Sequence, residues 1–222
     1  MPQTLTLQAI APVTHDTWHL TFGRPDGFDF QPGQASELTL PFDGIRDEGR
    51  PFTMVSQPSD TALEFVIKSY PEHDGVTEHV PELSVGDQVG CDGPFGAITD
   101  YGAGCFIAAG AGVTPFISIL KKHEREGVAG DTLIFSNSTD RDIILKDTWE
   151  SMSGVTPVFV VTDQEDTEHR KGRLDKDALE ELIEEKDQPF YICGPQEFVD
   201  DMRDALKEIG VDEDRIVTEE GW

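Results

Sequence analysis

Short hydrophobic stretches with alternating polar positions, separated by turn residues, occupy the N-terminal part of the chain. Tripeptides such as Pro-Asp-Gly at 25–27 and Val-Gly-Asp at 85–87 interrupt the pattern at close intervals. Strands are predicted over residues 4–10, 17–22, 36–40, 63–69 and 88–91. Many short strands with frequent turns are typical of an antiparallel barrel or sandwich, here with one helical turn near residues 77–83.

The pattern changes after about residue 100, where apolar strands begin to alternate with helical segments. The predicted strands cover residues 105–108, 132–135, 158–161 and 190–192. The predicted helices cover residues 114–125, 140–151, 175–185 and 196–209. Strands separated by helices indicate βαβ units and a parallel sheet. The sequence therefore predicts two domains with a boundary near residue 100.

The chain carries 44 Asp and Glu residues against 17 Lys and Arg residues, a formal net charge of −27. Such a charge repels nucleic-acid phosphates and anionic lipids, so neither is expected as a partner. The acidic residues are spread among apolar segments, which argues against disorder. Because molar salt screens self-repulsion, the composition favours a halophilic organism with a salt-rich cytoplasm. An ordinary acidic protein with a basic partner is the alternative.

The cysteines, Cys91, Cys105 and Cys193, are odd in number and widely spaced, which argues against a disulfide framework. No CxxC pair or Cys/His cluster occurs, so we expect no metal site and no four-cysteine iron–sulfur centre within the chain. No secretory signal and no apolar run long enough for a membrane helix is visible. A reduced, cytoplasmic location without membrane insertion is the expectation.

A glycine-rich turn follows the predicted strand at 105–108 and leads into the helix at 114–125. Gly110 and Gly112 leave room for a pyrophosphate, and the following helix N-terminus favours its negative charge. Pro115 suits an early helical position, where its missing N–H costs nothing. The strand–turn–helix setting predicts a dinucleotide-binding turn.

Five segments share an order and spacing that point to one family. They are Arg-Pro-Phe-Thr at 50–53, Asp-Gly-Val-Thr at 74–77, Gly-Pro-Phe-Gly at 93–96, Ala-Gly-Ala-Gly-Val-Thr-Pro at 109–115 and Cys-Gly-Pro at 193–195. Taken singly, each is also compatible with an ordinary turn, strand or cap. Together they resemble the ferredoxin–NADP reductase family, closest to its compact flavodoxin-reductase-like branch, over nearly the whole chain.

This resemblance implies a two-domain β plus α/β fold. Residues 1–99 would form an antiparallel six-stranded β-barrel that binds FAD. Residues 100–222 would form a Rossmann-like, parallel-sheet domain that binds NAD(P), with a C-terminal tail that returns to the flavin. Nicotinamide would meet the flavin in the cleft between the two domains.

The resemblance also assigns flavin contacts. Arg50 would hold the phosphates, and Thr53 would hydrogen-bond flavin N5 as a catalytic residue. Gly75 and the helix start would take the pyrophosphate, which favours FAD over FMN, although one residue fewer than in the family separates Gly75 from Thr77. The implied FAD-binding residues are Arg50, Pro51, Phe52, Thr53, Val66, Ile67, Lys68, Tyr70, Gly75, Val76, Thr77 and Trp222.

On the nucleotide side, the resemblance places Cys193 near the nicotinamide carbon that gives hydride. Glu220 matches the catalytic acid of the family, and the terminal Trp222 would stack on the flavin ring. The implied NAD(P)-binding residues are Gly110, Gly112, Val113, Thr114, Pro115, Ser136, Asn137, Arg141, Cys193, Gly194 and Pro195.

The choice between NADPH and NADH is open at this level. Ser136 and Arg141 could hold a 2′-phosphate, as such residues do in NADP-using relatives, which favours NADPH. Asp140 and Asp142 flank Arg141 and weaken that preference.

The implied activity is an FAD-dependent NAD(P)H oxidoreductase that exchanges electrons with a separate one-electron carrier such as ferredoxin or flavodoxin. Two alternatives stay open: the reductase component of a multicomponent oxygenase, and a non-catalytic flavin- or nucleotide-binding regulatory subunit. The first alternative uses the same fold with a different protein partner. The second would bind cofactor without being reduced by nicotinamide.

Overall fold

The computed structural model describes residues 3–72 and 75–219. The chain divides into two compact units, Met1–Ala97 and Ile98–Trp222. Each unit has a hydrophobic core built from its own residues. The two units are therefore described in turn.

The described part of the first unit forms a six-stranded antiparallel sheet. Its strands are β1 (Gln3–Pro12), β2 (Thr17–Gly23), β3 (Gln34–Thr39), β4 (Arg50–Thr53), β5 (Ala62–Lys68) and β6 (Gln88–Ala97). The spatial order is β4-β3-β6-β1-β2-β5. Beyond β4, Met54 pairs with Phe65 of β5, and the Val55 amide donates to the Glu64 carbonyl at 2.8 Å. This pairing joins the two edge strands and closes the sheet into the predicted barrel.

The barrel core follows from the alternation of side chains along each strand. Phe22 and Phe65 are fully buried, with their rings edge to face and their centroids 5.9 Å apart. The predicted helical turn is present as a 3-10 helix, Val76–Glu82, whose Val76 and Val80 pack into the same core. Burial of these two side chains fixes the helix on the barrel.

The second unit contains a parallel sheet, and the order in which the chain adds strands across this sheet reverses once. Its strands are β7 (Cys105–Ala109), β8 (Asp131–Asn137), β9 (Val155–Val161), β10 (Arg170–Lys171), β11 (Phe190–Cys193) and β12 (Ile216–Thr218). The spatial order is β10-β9-β8-β7-β11-β12, and every pair is parallel. The predicted β plus α/β architecture is confirmed.

Helices connect the parallel strands. The α-helices of the described residues are α1 (Thr114–Glu126), α2 (Lys146–Ser151), α3 (Lys176–Leu182) and α4 (Gln196–Glu208). Short 3-10 helices cover Gly110–Val113, Asp140–Asp142 and Glu213–Arg215. The side chain of Asp175 caps α3 by accepting from the Ala178 amide at 2.9 Å. Within the described residues, no helix is both long enough and apolar enough to span a bilayer.

Three local predictions were wrong. The single helix predicted over 140–151 is two short helices, because Thr139 and Asp142 close a capping box and Leu145 takes a left-handed conformation with φ 57°. Helix α3 ends at Leu182, three residues before the end of the helix predicted over 175–185. Strands β10 and β12 were missed, because two or three residues are too few for a periodic pattern.

Candidate functional site

In the second unit, the loops that follow β7 and β11 lie side by side at the carboxyl edge of the sheet. The chain runs outward from β7 through β8, β9 and β10, and then returns to place β11 on the other side of β7. Open parallel sheets bind ligands at such a reversal point, in the crevice beyond the carboxyl ends of the two strands.

Backbone atoms of these two loops approach so closely at Gly112 that no side chain fits. A Cβ atom on Gly112 would lie 2.5 Å from the carbonyl carbon of Cys193 and 2.6 Å from Cα of Gly194. A Cβ atom on Gly194 would lie 3.2 Å from that of Ala109. Glycine at 112 and 194 is therefore what lets the predicted dinucleotide turn and the Cys-Gly-Pro turn pack together.

The turn after β7 leads directly into a helix start. Gly110 has φ +52°, and the space around its missing side chain is open. The chain passes through the 3-10 helix Gly110–Val113 directly into α1, with Pro115 in the first turn. Val113 is fully buried, whereas Thr114 is partly exposed and its hydroxyl donates to the Ala111 carbonyl at 3.0 Å. Partly exposed glycines at a helix N-terminus suit an anionic pyrophosphate.

A thiol and a carboxylate lie together at the end of β11. The Cys193 thiol donates to Oε1 of Glu219 across 3.7 Å, and Cys193 is 7% exposed. Burial raises the pKa of the Cys193 thiol well above its ordinary value, and the nearby carboxylate raises it further. Burial also raises the pKa of Glu219, although the hydrogen bond from Cys193 opposes the shift. The thiol is therefore neutral at physiological pH.

Glu219 was not predicted from the sequence. The spacing from the terminal aromatic residue pointed to Glu220 as the catalytic acid instead. Glu220 and Trp222 lie outside the described residues. The signal for Glu219 is tertiary: β12 pairs in parallel with β11, with Ile192 opposite Thr218, so the next residue along reaches the end of β11.

A cavity of about 180 Å³ adjoins the same edge of the sheet. Its lining includes Ser136, Thr162, Arg173, Pro195, Phe198 and Asp201. Ser136 and Pro195 were predicted from the sequence, whereas Thr162 after β9 and Arg173 after β10 were not, because neither belongs to a recognisable motif. Of the other predicted residues, Arg141 is exposed and Asn137 is 5% exposed. The Asn137 Oδ1 atom is buried without a hydrogen-bond partner among the described residues.

In the first unit, β4 carries one exposed cation and one buried hydroxyl. Arg50 contacts Glu48 at 3.2 Å, and both side chains are about half exposed. Thr53 is 7% exposed, while Phe52 packs against the barrel core. Since Met54 pairs with Phe65, Thr53 and Val66 are neighbours on the outer face of the closed barrel. An exposed guanidinium and a hydroxyl on one short strand can hold an anion and a polar ring edge.

The other predicted flavin residues divide between core and surface. Ile67 belongs to the barrel core, whereas Val66 is buried outside it. Lys68 pairs with Asp16 at 2.9 Å and lies 6.0 Å from the ring centre of Tyr70, which is 37% exposed.

The turn before the 3-10 helix Val76–Glu82 also has a partly exposed backbone. Gly75 is extended, and no side chain caps the helix there. Thr77 is partly exposed, while Val76 is buried in the core. The structure thus leaves the backbone of Gly75 and the Thr77 hydroxyl as the groups that a phosphate could contact.

Comparison with known proteins decides the family. The oxidoreductase FAD-binding domain model matches residues 4–100, and the oxidoreductase NAD-binding domain model matches residues 106–204. The chain belongs to the ferredoxin reductase-like family of FAD- and NAD-binding oxidoreductases. The resemblance drawn from the five motifs is confirmed.

Curated relatives of this chain include proteins that are named as reductases. NADH-cytochrome b5 reductase 2 of Mycosarcoma maydis is 29% identical over 70% of this chain and 48% of its own length. The ferredoxin reductase component of 3-ketosteroid-9-alpha-monooxygenase of Mycobacterium tuberculosis is 28% identical over 93% of this chain and 62% of its own. The chain thus spans about half to two thirds of these relatives.

Among solved structures, the fold matches the FAD/NAD-binding domain of nitric oxide dioxygenase from Vibrio cholerae with a TM-score of 0.87. That match covers 97% of this chain and 96% of the other at 21% identity. A likeness at this identity shows the common fold.

Proposed function

We propose that this oxidoreductase takes hydride from NADPH or NADH onto bound FAD and passes the electrons singly to a separate carrier protein. The observation that carries the proposal is the contact between two glycine turns at the reversal point of the parallel sheet, with Cys193 beside them. Bound FAD supplies the conversion from hydride transfer to single-electron transfer. The residues of the chain bind and orient the two cofactors.

On the nicotinamide side, Gly110, Gly112 and the start of α1 would receive the pyrophosphate. Cys193 and Gly194 would then border the nicotinamide, since they lie against Gly112. Glu219 would fix the Cys193 thiol through its hydrogen bond. Ser136, Thr162 and Arg173, which line the cavity beside β8 and β9, would receive the adenosine half.

On the flavin side, the residues present fit FAD. Arg50 offers an exposed guanidinium for the diphosphate, and Gly75 with Thr77 offers a second contact to it. Thr53 and Val66 would border the ring on the outer face of the barrel. Lys68 ends β5, and Tyr70 follows it with an exposed ring that would stack on the adenine.

Replacing Arg50 by alanine should weaken FAD binding about tenfold to a hundredfold, because a charge-assisted hydrogen bond to phosphate is lost. Lysine at 50 should give an intermediate loss, since it keeps the charge without the planar fork. Titration of flavin-stripped protein with FAD measures the dissociation constant. Arg46→Ala, which removes an exposed arginine of the preceding loop, is the matched control. Equal FAD affinity in Arg50→Ala and wild type would reject this role.

Replacing Glu219 by glutamine should remove one ionisation from the pH profile of kcat. Because burial raises the pKa of Glu219, the wild-type profile should show a limb above the ordinary carboxyl range. Glutamine keeps an oxygen that can accept from the Cys193 thiol, so the KM for the dinucleotide should change little. Glu180→Gln, on the exposed surface of α3, serves as the control. A limb that persists unchanged in Glu219→Gln would assign the ionisation to another group.

Chemistry and the names of the relatives support a proposal for the carrier. The Mycobacterium tuberculosis relative is by name the ferredoxin reductase component of a monooxygenase, so we propose a ferredoxin-like protein or an oxygenase component as acceptor. A flavodoxin is also compatible. A net charge of −27 makes an acidic carrier a poor partner unless salt screens both proteins or a local basic patch meets it.

Steady-state turnover tests the proposal. Protein reconstituted with FAD in molar KCl should reduce ferricyanide, a one-electron acceptor, with NADPH or NADH as donor. The same protein without FAD should be inactive. FAD-loaded protein that turns over neither dinucleotide would favour the regulatory-subunit alternative.

A further inference from the structure

Asp140 joins two loops at the carboxyl edge of the parallel sheet. It begins the 3-10 helix Asp140–Asp142 shortly after β8. The Thr167 hydroxyl donates to its Oδ1 at 2.6 Å, and Nε2 of Gln164 donates to its Oδ2 at 2.8 Å. The backbone amide of Asp140 donates in return to Oε1 of Gln164 at 3.0 Å. Residues 162–169, here named the β9–β10 connection, are thereby attached to the end of β8.

The β9–β10 connection is ordered around this carboxylate. Nε2 of Gln164 also donates to the Asp166 carbonyl at 2.6 Å, and the Thr167 hydroxyl accepts from the His169 amide at 3.1 Å. The start of the connection is held separately, because the Thr162 amide donates to the Asn137 carbonyl at 3.0 Å. The contacts to Asp140 extend this attachment to the far end of the connection.

Residues on both sides of the connection line the 180 Å³ cavity. Thr162 begins the connection, Arg173 follows it after β10, and Ser136 lines the same cavity. The Gly172 amide donates to the Val161 carbonyl at 2.9 Å, which keeps Arg173 beside the end of β9. Because the connection joins Thr162 to the segment that carries Arg173, a change in its path would act on the cavity through these two residues.

We propose that Asp140 is a positioning residue for the nicotinamide dinucleotide; this inference rests on the function proposed above. Asp140 acts through the β9–β10 connection, because each of its carboxylate oxygens already accepts a short hydrogen bond from it. It sets the distance from Thr162 and Arg173 to Ser136 and so shapes the site for the adenosine half. Its loss should weaken binding and leave the transfer step unchanged.

The test measures binding and turnover separately in the FAD-loaded protein, with NADPH and with NADH in molar KCl. Asp140→Ala should raise the Kd and the KM of the better dinucleotide about tenfold, with kcat within about twofold, since charged hydrogen bonds of this strength are lost. Asp147→Asn removes one exposed acid from α2 and should leave both constants unchanged. Thermal unfolding midpoints show whether each variant is folded.

Two further variants separate positioning from direct contact. Gln164→Ala combined with Thr167→Val should reproduce the rise in Kd, because it removes the same hydrogen bonds and keeps the carboxylate. Asp140→Asn combined with Gln164→Glu exchanges the donor and the acceptor of the hydrogen bond between these two side chains. The double variant should regain much of the dinucleotide affinity that Asp140→Asn alone loses. If Gln164→Ala with Thr167→Val binds the dinucleotide as tightly as the wild type while Asp140→Ala binds it more weakly, Asp140 contacts the dinucleotide directly. That result would overturn the proposal.

The outcomes also separate this inference from the proposed function. Unchanged Kd and KM in Asp140→Ala, with normal binding by the wild type, overturn the inference alone. Wild-type protein that binds neither NADPH nor NADH overturns both.

Discussion

Alanine at position 112 should lower kcat/KM for the nicotinamide dinucleotide by about a hundredfold or more while FAD stays bound. The added Cβ would lie 2.5 Å from the carbonyl carbon of Cys193 and 2.6 Å from Cα of Gly194, so both neighbours are backbone and cannot rotate away. The two turns must therefore separate by about 1 Å to reach ordinary contact. A displacement of that size at a reacting site costs on the order of a hundredfold in rate.

Another glycine provides a matched control for Gly112→Ala. Gly96 has open space around its missing side chain and no positive φ, so Gly96→Ala should behave as wild type. Stopped-flow reduction of the flavin by each dinucleotide gives the rates. Gly112→Ala with a rate as high as that of Gly96→Ala would show that the turns do not need this contact.

The second large effect concerns a buried histidine at the amino edge of the parallel sheet. His123 of α1 is 2% exposed, with Nδ1 2.8 Å from Asp131 and Nε2 3.1 Å from Asp100. Lys122 donates to the other oxygen of Asp100 at 2.7 Å, and the Gly104 amide donates to Asp131 at 3.0 Å. An imidazole between two carboxylates is held as the imidazolium.

Stability should therefore fall as the pH rises through the pKa of His123. Burial alone would lower this pKa, but the hydrogen bonds to Asp100 and Asp131 outweigh it and raise the pKa to about 9 from 6.5. A group with a raised folded-state pKa stabilises the fold fully below its unfolded value, here about 6.5, and loses that contribution as the pH passes about 9. A shift of this size corresponds to about 3 kcal/mol.

Chemical unfolding at several pH values measures this effect. Between pH 7 and pH 10, the free energy of unfolding of the wild type should fall by about 2–3 kcal/mol more than that of His123→Gln. His123→Gln should also be less stable than the wild type at pH 7, because Asp100 and Asp131 lose the imidazolium between them. His169→Gln, near the surface beside Phe159, should keep the wild-type slope. If the free energy of unfolding depends on pH with the same slope in the wild type and in His123→Gln, His123 is neutral in the folded protein.

The fold was predictable where the sequence pattern is long or local. Strands with several alternating residues and helices such as α1 and α4 carry their own periodicity. Gly110, Gly112 and Pro115 lie close together in the sequence, directly after an apolar stretch, so their spacing predicted a strand–turn–helix. Leu145 in a left-handed conformation and a capping box at Thr139 and Asp142 broke the helix predicted over 140–151. These features depend on single residues, and a periodic pattern of hydrophobic positions over a whole segment does not reveal them.

The candidate site was predictable only in part, because tertiary contacts assemble the rest. Cys193 and Gly194 belong to a recognisable motif, whereas Glu219 reaches Cys193 through the pairing of β12 with β11. Arg173 and Thr162 line the cavity because the short strand β10 lies beside β9. Neither pairing leaves a periodic signal in the sequence.

Anaerobic mixing of the FAD-loaded protein with NADPH or NADH in molar KCl tests whether nicotinamide reduces the bound flavin. The protein should be yellow, and at least one dinucleotide should promptly bleach its blue-light flavin absorbance, which should return when a one-electron acceptor is added. A protein that takes up no FAD, or whose bound FAD neither dinucleotide bleaches, would contradict the proposed function.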